Sequence, residues 1–211
     1  RTMSLKITPK GLIVNAPILM TNNKINQLLQ KKSKWIQKKL LLTIHDEVPF
    51  DIRNGEIFKI FNNEIVITLK TGVNNIFVEG DKCFVSFKNL SAQLKLKKFF
   101  ILWVKKYALK YFSHRVKYFC DENNLKVQAT LISNAKTRWG TCNSRKEIRL
   151  NWRLIQAPKY VIDYVICHEL SHLKFMNHSS DFWQQVQLLF PNYKEAELYL
   201  KENGFRLYRI D

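Results

Sequence analysis

The pentapeptide His168-Glu169-Leu170-Ser171-His172 places the tightest limit on what this chain can fold into. On a helix, residues i and i+4 lie one turn apart on the same face. Both imidazoles then reach one metal ion, and Glu169 stands beside it for a bound water. The flanking pattern is helical. Val161 and Val165 extend the histidine face, and Ile162, Ile166, Leu170 and Leu173 fill the opposite one. A helix apolar on both sides is expected between layers of a packed domain. Two buried histidines without a ligand would be costly there.

Zinc in a catalytic site takes three protein ligands and keeps one position for water. His178, six residues after His172, is the expected third ligand. Asn177 ends the helix and turns the chain back, and Ser179 or Ser180 starts the next helix. Glu195, on a later helix, is the fallback. His45 and His114 lie outside this constellation. Cys83, Cys120, Cys142 and Cys167 form no C-x-x-C pair, so neither a thiolate zinc site nor a redox motif is expected. Cys142 and Cys167 are expected as buried small residues, and a reducing, cytoplasmic setting is the simpler expectation.

A second cluster precedes the motif. Arg138-Trp139-Gly140-Thr141-Cys142 is followed by the alternating run Glu147–Arg153. Gly140 predicts a turn or a close backbone approach. The 147–153 run reads as a strand leading directly into the metal helix. Two readings of it stand: an exposed edge that holds an extended peptide by strand addition, or a structural hairpin. Arg138, Trp139 and Asn151 are the candidate substrate-binding residues.

The rest of the chain reads as α+β. Strands at 4–8 and 11–16 flank the Pro9-Lys10-Gly11 turn, and Thr21 caps one helix carrying Ile25, Leu28, Leu29, Ile36 and Leu40. Strands at 56–61, 64–69, 75–79 and 83–87, with turns at Asn62-Asn63 and Gly80-Asp81, predict a small antiparallel sheet or part-barrel. A long helix is expected over 91–119, capped by Ser91, with Leu94, Phe99, Leu102, Trp103, Tyr107, Tyr111 and Phe112 as its core stripe. It should pack over the metal helix. Strands near 127–132, 137–142 and 147–152 follow. Helices then span 158–175, with Pro158 in the first turn, 180–190 and 193–203. Asn192 and Glu195 form a capping box, and Gly204 is the C-terminal stop. The expected division is an N-terminal β-rich domain over 1–90 and a helical catalytic domain with a short sheet over 91–211.

Charge narrows the partners. The net charge is +18. Residues 1–159 carry +20 and residues 160–211 carry −2. Such a field attracts nucleic acid, nucleotides or acidic polypeptides. Lysine outnumbers arginine, which argues against sequence-specific base readout. No apolar run is long enough for a transmembrane helix. Oligomeric state is not legible in the sequence.

Taken together, Arg138–Cys142, Ile148–Pro158, Val161–Val165, His168–Leu173, Asn177-His178-Ser179 and Phe182-Trp183 resemble the YgjP-like zinc metallopeptidases. Those are similar in their catalytic helix to the SprT-like proteases. A weaker likeness covers Ser4–Ile7, Ala16-Pro17 and Lys34-Trp35-Ile36, and Thr141 stands where that family commonly has Ser. The resemblance implies a zincin-like catalytic domain, Zn2+ held by His168, His172 and His178, Glu169 as general base, and a peptide or protein substrate. The basic charge motivates two variants of the same site: nucleotide phosphoanhydride hydrolysis, or proteolysis of proteins held at DNA. A zinc-stabilised binding module without catalysis is the reading from a different class.

Overall fold

The computed structural model describes residues 3–8, 11–44 and 50–211. His45 and the Pro9-Lys10 part of the first turn lie outside them. The chain forms two compact units, residues 1–50 with 209–211, and residues 51–208. The expected division at residue 90 lies within the second unit. Among the described residues, no helix is long and apolar enough to cross a membrane.

In the smaller unit, β1 (Ser4–Thr8) and β2 (Gly11–Asn15) form an antiparallel hairpin. Two helices follow, α1 (Asn22–Lys31) and α2 (Ser33–Ile44), where one was expected. The break is at Lys32, whose backbone leaves the helical region (φ −101, ψ 4) and whose N–H is shared between the Leu28 and Leu29 carbonyls. Thr21 occupies the cap position in extended conformation, but its side chain makes no capping bond.

The larger unit begins with four strands, β3 (Ile57–Ile60), β4 (Asn63–Thr71), β5 (Asn75–Glu79) and β6 (Lys82–Phe87). Their order is β3-β4-β6-β5, and β4 runs parallel to β6. The sheet is therefore mixed rather than antiparallel, because β5 takes the outer edge and β6 returns between it and β4. The tight turn after β3 uses Phe61 and Asn62, one residue earlier than expected, both with positive φ (54 and 67). Non-glycine residues adopt that region only when held there. Here the Phe61 and Asn62 N–H groups donate to the Ile155 and Gln156 carbonyls (2.7 and 3.0 Å), and the Phe61 ring lies 4.4 Å from that of Tyr111.

One face of this sheet alternates buried Phe58, Ile60, Ile65, Ile67, Cys83, Val85 and Phe87. Helix α3 (Gln93–Glu122) packs on it, with Phe58 and Phe100 edge to face at 5.3 Å. Its buried stripe is Leu96, Phe100, Val104, Ala108, Phe112, Val116 and Phe119. Each such side chain contributes about 1.5–3 kcal/mol of burial when apolar and large. The expected stripe was rotated away from this one. Leu94 and Leu102 are 80% and 58% exposed, and only Phe112 of that set is fully buried. Phe99, Trp103, Tyr107 and Tyr111 are half-buried on the flank, where the aromatic rings contact one another and the Phe61 turn. Ser91 does not cap α3; its hydroxyl donates to Asn89.

A second sheet follows, β7 (Ala129–Ser133), β8 (Gly140–Cys142) and β9 (Glu147–Asn151), in the order β7-β9-β8. β9 is central, parallel to β7 and antiparallel to β8. The edge beside the metal helix is thus β8, not the 147–153 run. A 3-10 turn, Trp152–Gln156, then separates β9 from α4 (Lys159–Ser171). Pro158 is the residue before α4, in extended conformation. α3 packs along α4, and Arg115 binds Asp163 through two bonds of 2.7 and 2.9 Å. α5 (Ser180–Leu189) starts at Ser179, whose hydroxyl accepts from the Phe182 N–H. α6 (Tyr193–Asn203) ends at Gly204. The Asn192 side chain makes no capping bond, so the expected capping box is absent. Gly204 has ordinary helical dihedrals (φ −57, ψ −33) and continues into a 3-10 turn rather than reversing the chain.

Candidate metal centre

α4 carries the site because it is buried on both sides. Val161, Ile162, Val165, Ile166 and Leu170 are each 4% exposed or less. The regular helix stops at Ser171, short of the expected residue 175. His172, Leu173 and Lys174 then donate to the carbonyls three residues back, a tighter turn. His172 keeps helical dihedrals (φ −66, ψ −14), so its ring stays one turn above His168.

His178 arrives from the loop before α5, and the ring nitrogens of His168, His172 and His178 lie within 4.8 Å of one another. His168 Nε2 and His178 Nε2 are 3.2 Å apart. Two nitrogens bound at about 2.05 Å to a tetrahedral ion stand about 3.3 Å apart, so this pair spans one tetrahedral edge. The His172 Nδ1–H donates to the Phe175 carbonyl at 2.9 Å, which leaves Nε2 with its lone pair toward the other rings. Burial, then the neighbouring His172 and His178, pulls His168 down to about 4. Burial lowers His172 as well. The two are therefore neutral lone-pair donors at neutral pH. His168 Nδ1 is buried without a hydrogen-bond partner among the described residues, and its Nε2 is the nitrogen that faces His178. The donor set fits a divalent ion.

The floor under the rings is Phe182, fully buried, with its centroid 4.6–4.9 Å from all three imidazoles. Trp183 flanks His168 and His178 at 5.8 and 6.1 Å. The sequence pattern marked Phe182-Trp183 only through the family resemblance. Their apolar i, i+3 and i+4 relation to Val186 was the available signal.

Glu169 is 4% exposed, and desolvation pushes its carboxyl up to about 8. It lies against Gly140 of β8. A Cβ at Gly140 would come within 2.5 Å of Glu169 Oε1 and 2.7 Å of its Cγ. The close approach expected at Gly140 is thus the approach of the acid itself.

These groups open into a cleft of about 610 Å³ between α4 and β8. Arg138 and Trp139 line it, as do Tyr164, Val165, Met176 and Leu200, which sequence reasoning did not single out for the site. Cys142 also lines it, half-buried rather than fully buried. Asn151 does not reach it. Asn151 is fully buried; its Nδ2 donates to the Ala135 and Arg138 carbonyls (2.7 and 3.3 Å), and its Oδ1 accepts from the Arg153 backbone. It braces the loop that leads into β8 instead of meeting a ligand. Glu195 is exposed on α6 and does not belong to the histidine group. Cys167 is buried, with its thiol near the Leu189 carbonyl.

A family model described as YgjP-like, metallopeptidase domain, matches residues 1–203. Among solved structures, the metallopeptidase zymogen of Pyrococcus abyssi abylysin is 23% identical, covering 43% of this chain and 93% of that one, with a TM-score of 0.38. The metallopeptidase zymogen of Methanocaldococcus jannaschii jannalysin is 21% identical, covering 44% of this chain and 96% of that one, with a TM-score of 0.38. No curated protein matches the chain.

Proposed function

Because the chain belongs to the YgjP-like metallopeptidase family, we propose that it is a zinc-dependent peptidase with Glu169 as its general base. The observation that carries this reading is the convergence of three imidazole nitrogens beside a buried carboxylate. His168, His172 and His178 would hold the ion, and an all-nitrogen set of three favours zinc with one position left over. Such an ion supplies Lewis acidity, polarising a carbonyl and making water more acidic.

The chain's own groups do the rest. With a divalent cation beside it to favour the ionised form, the Glu169 carboxylate accepts a proton from the attacking water and delivers it to the leaving amine nitrogen, so the group ends as it began. Gly140 leaves room for that carboxylate to sit against β8. Among the described residues β8 pairs with β9 alone, so its other edge offers backbone groups to an extended peptide lying along the cleft. Tyr164 and Arg138, both in the cleft wall, are two of the donors available to the oxygen that gains charge.

The test is direct. Metal analysis of the purified protein should find one zinc per chain, and a peptide-library digest should show cleavage that a chelator stops. Wild-type hydrolysis that survives complete metal removal would refute the reading.

A further inference from the structure

The cleft is unequal on its two sides. Along α4, the lining residues run Tyr164, Val165, His168, Glu169 and His172, with Met176 in the turn beyond. On the Tyr164 side, the lining side chains from α4 and α6 are Tyr164 and Val165 (6% and 4% exposed) and the half-buried Leu200, and the exposed Glu197 of α6, outside the lining, acts on Tyr164 as a further reason for a carboxylate to be disfavoured there. Trp139 adds an indole, and the exposed Arg138 before it also lines the cleft.

That indole is fixed from behind by the C-terminal end of the larger unit. A Cβ on Gly204 would fall 2.9 Å from Trp139 Cζ2. Because Gly204 is in ordinary helical conformation, its lack of a side chain serves this approach and not backbone freedom. The Tyr208 ring lies 5.3 Å from the indole on another side. The Tyr208 hydroxyl donates to the Ala135 carbonyl (3.3 Å) and accepts from Asn151 Nδ2 (3.2 Å), while the Asn151 N–H donates to the Trp139 carbonyl (2.8 Å). Gln156 Nε2 donates to the Leu207 carbonyl at 2.8 Å. The wall is therefore built before any substrate arrives.

We propose that Trp139, Val165 and Leu200 form a subsite that takes a large apolar side chain of the substrate next to the scissile bond. Leu200 sets its polarity, and Gly204 is a positioning residue that seats the indole. The proposal rests on the peptidase reading and names the substrate class of the same cleft. Burial of an aliphatic or aromatic side chain there gains from every methylene placed against the wall, whereas a carboxylate would lose its hydration.

Three proteins decide it: metal-loaded wild type, Leu200→Arg and Gly204→Ala, matched for zinc content and thermal melting. In a proteome-derived peptide digest, wild type should favour Leu, Ile, Met or Phe over Asp or Glu at one position flanking the bond, by about 10-fold or more. Leu200→Arg should lower kcat/KM for a Leu peptide about 10–100-fold and raise it for the matched Glu peptide. Gly204→Ala should raise KM for the Leu peptide by a larger factor than for the matched Ala peptide, a split that a general loss of stability would not produce. A wild-type profile without preference, or a Leu200→Arg profile identical to it, overturns the subsite. Calorimetry with leucine and aspartate hydroxamates gives a readout independent of turnover. The leucine compound should bind at least about 10-fold more tightly to wild type, and equal affinities also overturn it. Absence of any hydrolysis by wild type, with that affinity ratio intact, would instead strike the peptidase reading alone.

Discussion

Gly140→Ala offers the sharpest perturbation of the site, since it adds one carbon and changes no charge. The new Cβ would lie 2.5 Å from Glu169 Oε1, 2.7 Å from Cγ and 2.8 Å from Cδ. Ordinary contacts require about 3.4 Å or more, so the carboxylate or β8 must yield by about 0.7–0.9 Å. Glu169 is nearly enclosed, so its carboxyl yields only by moving toward the cleft that it lines and away from its present place. A displacement near 1 Å in a catalytic group costs about 100-fold in rate. The overpacking itself should cost about 1–3 kcal/mol of stability. The three atoms nearest the added carbon all belong to Glu169 and none to an imidazole, so metal content should hold. The assay is kcat/KM on a cleavable peptide, with zinc stoichiometry and urea melts measured on the same preparations. A variant with wild-type kcat/KM would refute the placement of Glu169 against β8 as a requirement of turnover.

Other perturbations test the same frame. Glu169→Gln should retain zinc and lose about 100–10,000-fold in kcat, checked by metal analysis beside initial rates. Phe182→Ala should cost about 3–5 kcal/mol in a chemical melt and weaken zinc about 10–100-fold in a competition titration. The metal-free protein should have a distinctive stability profile with pH. Burial raises Glu169 to about 8, so the folded state holds that proton longer than the unfolded one and loses stability as pH climbs from about 4.5 to 8. His168, lowered to about 4, acts oppositely and gains stability up to about 6.5. The two nearly cancel below pH 6.5, leaving a decline of at most about 2 kcal/mol between pH 6.5 and 8. Urea melts of chelated protein should show that decline, and Glu169→Gln should abolish it; a flat wild-type profile would count against the desolvated carboxyl.

Much of the site was legible in the sequence because its parts are local. His168 and His172 are one helical turn apart whatever surrounds them, and Asn177-His178-Ser179 sits so close behind that a loop must return it. Strand positions also followed from alternation, as in Phe58, Ile60, Ile65 and Ile67. Pairing did not. Whether β4 meets β5 or β6, and whether β8 or β9 lies at the edge, depends on long-range closure that no window of residues records. The α3 stripe failed for a related reason. Its aromatic positions 99, 103, 107 and 111 recur at helical spacing as faithfully as 96, 100, 104 and 108, and only the sheet beneath chooses between the two faces. Asn151 reads as a polar residue near a metal, yet the loop it braces has no sequence signature.

Glycine shows where such reading stops. Gly140 and Gly204 both invite the inference of a turn, and neither has positive φ, unlike Gly11, Gly55 and Gly80. What they share is the absence of a Cβ in front of a functional side chain: the Glu169 carboxylate for one, the Trp139 indole for the other. Both therefore act as space, not as hinges. The distinction has consequences for substitution. At Gly80 (φ 59) alanine pays in backbone strain and asparagine is the tolerated replacement. At Gly140 asparagine is worse than alanine, because the defect grows with side-chain volume and not with φ. Ranking Ala, Ser and Asn at the two positions would separate these causes. A series at Gly140 in which Asn outperforms Ala would mean that backbone conformation, and not the approach of Glu169, fixes the glycine.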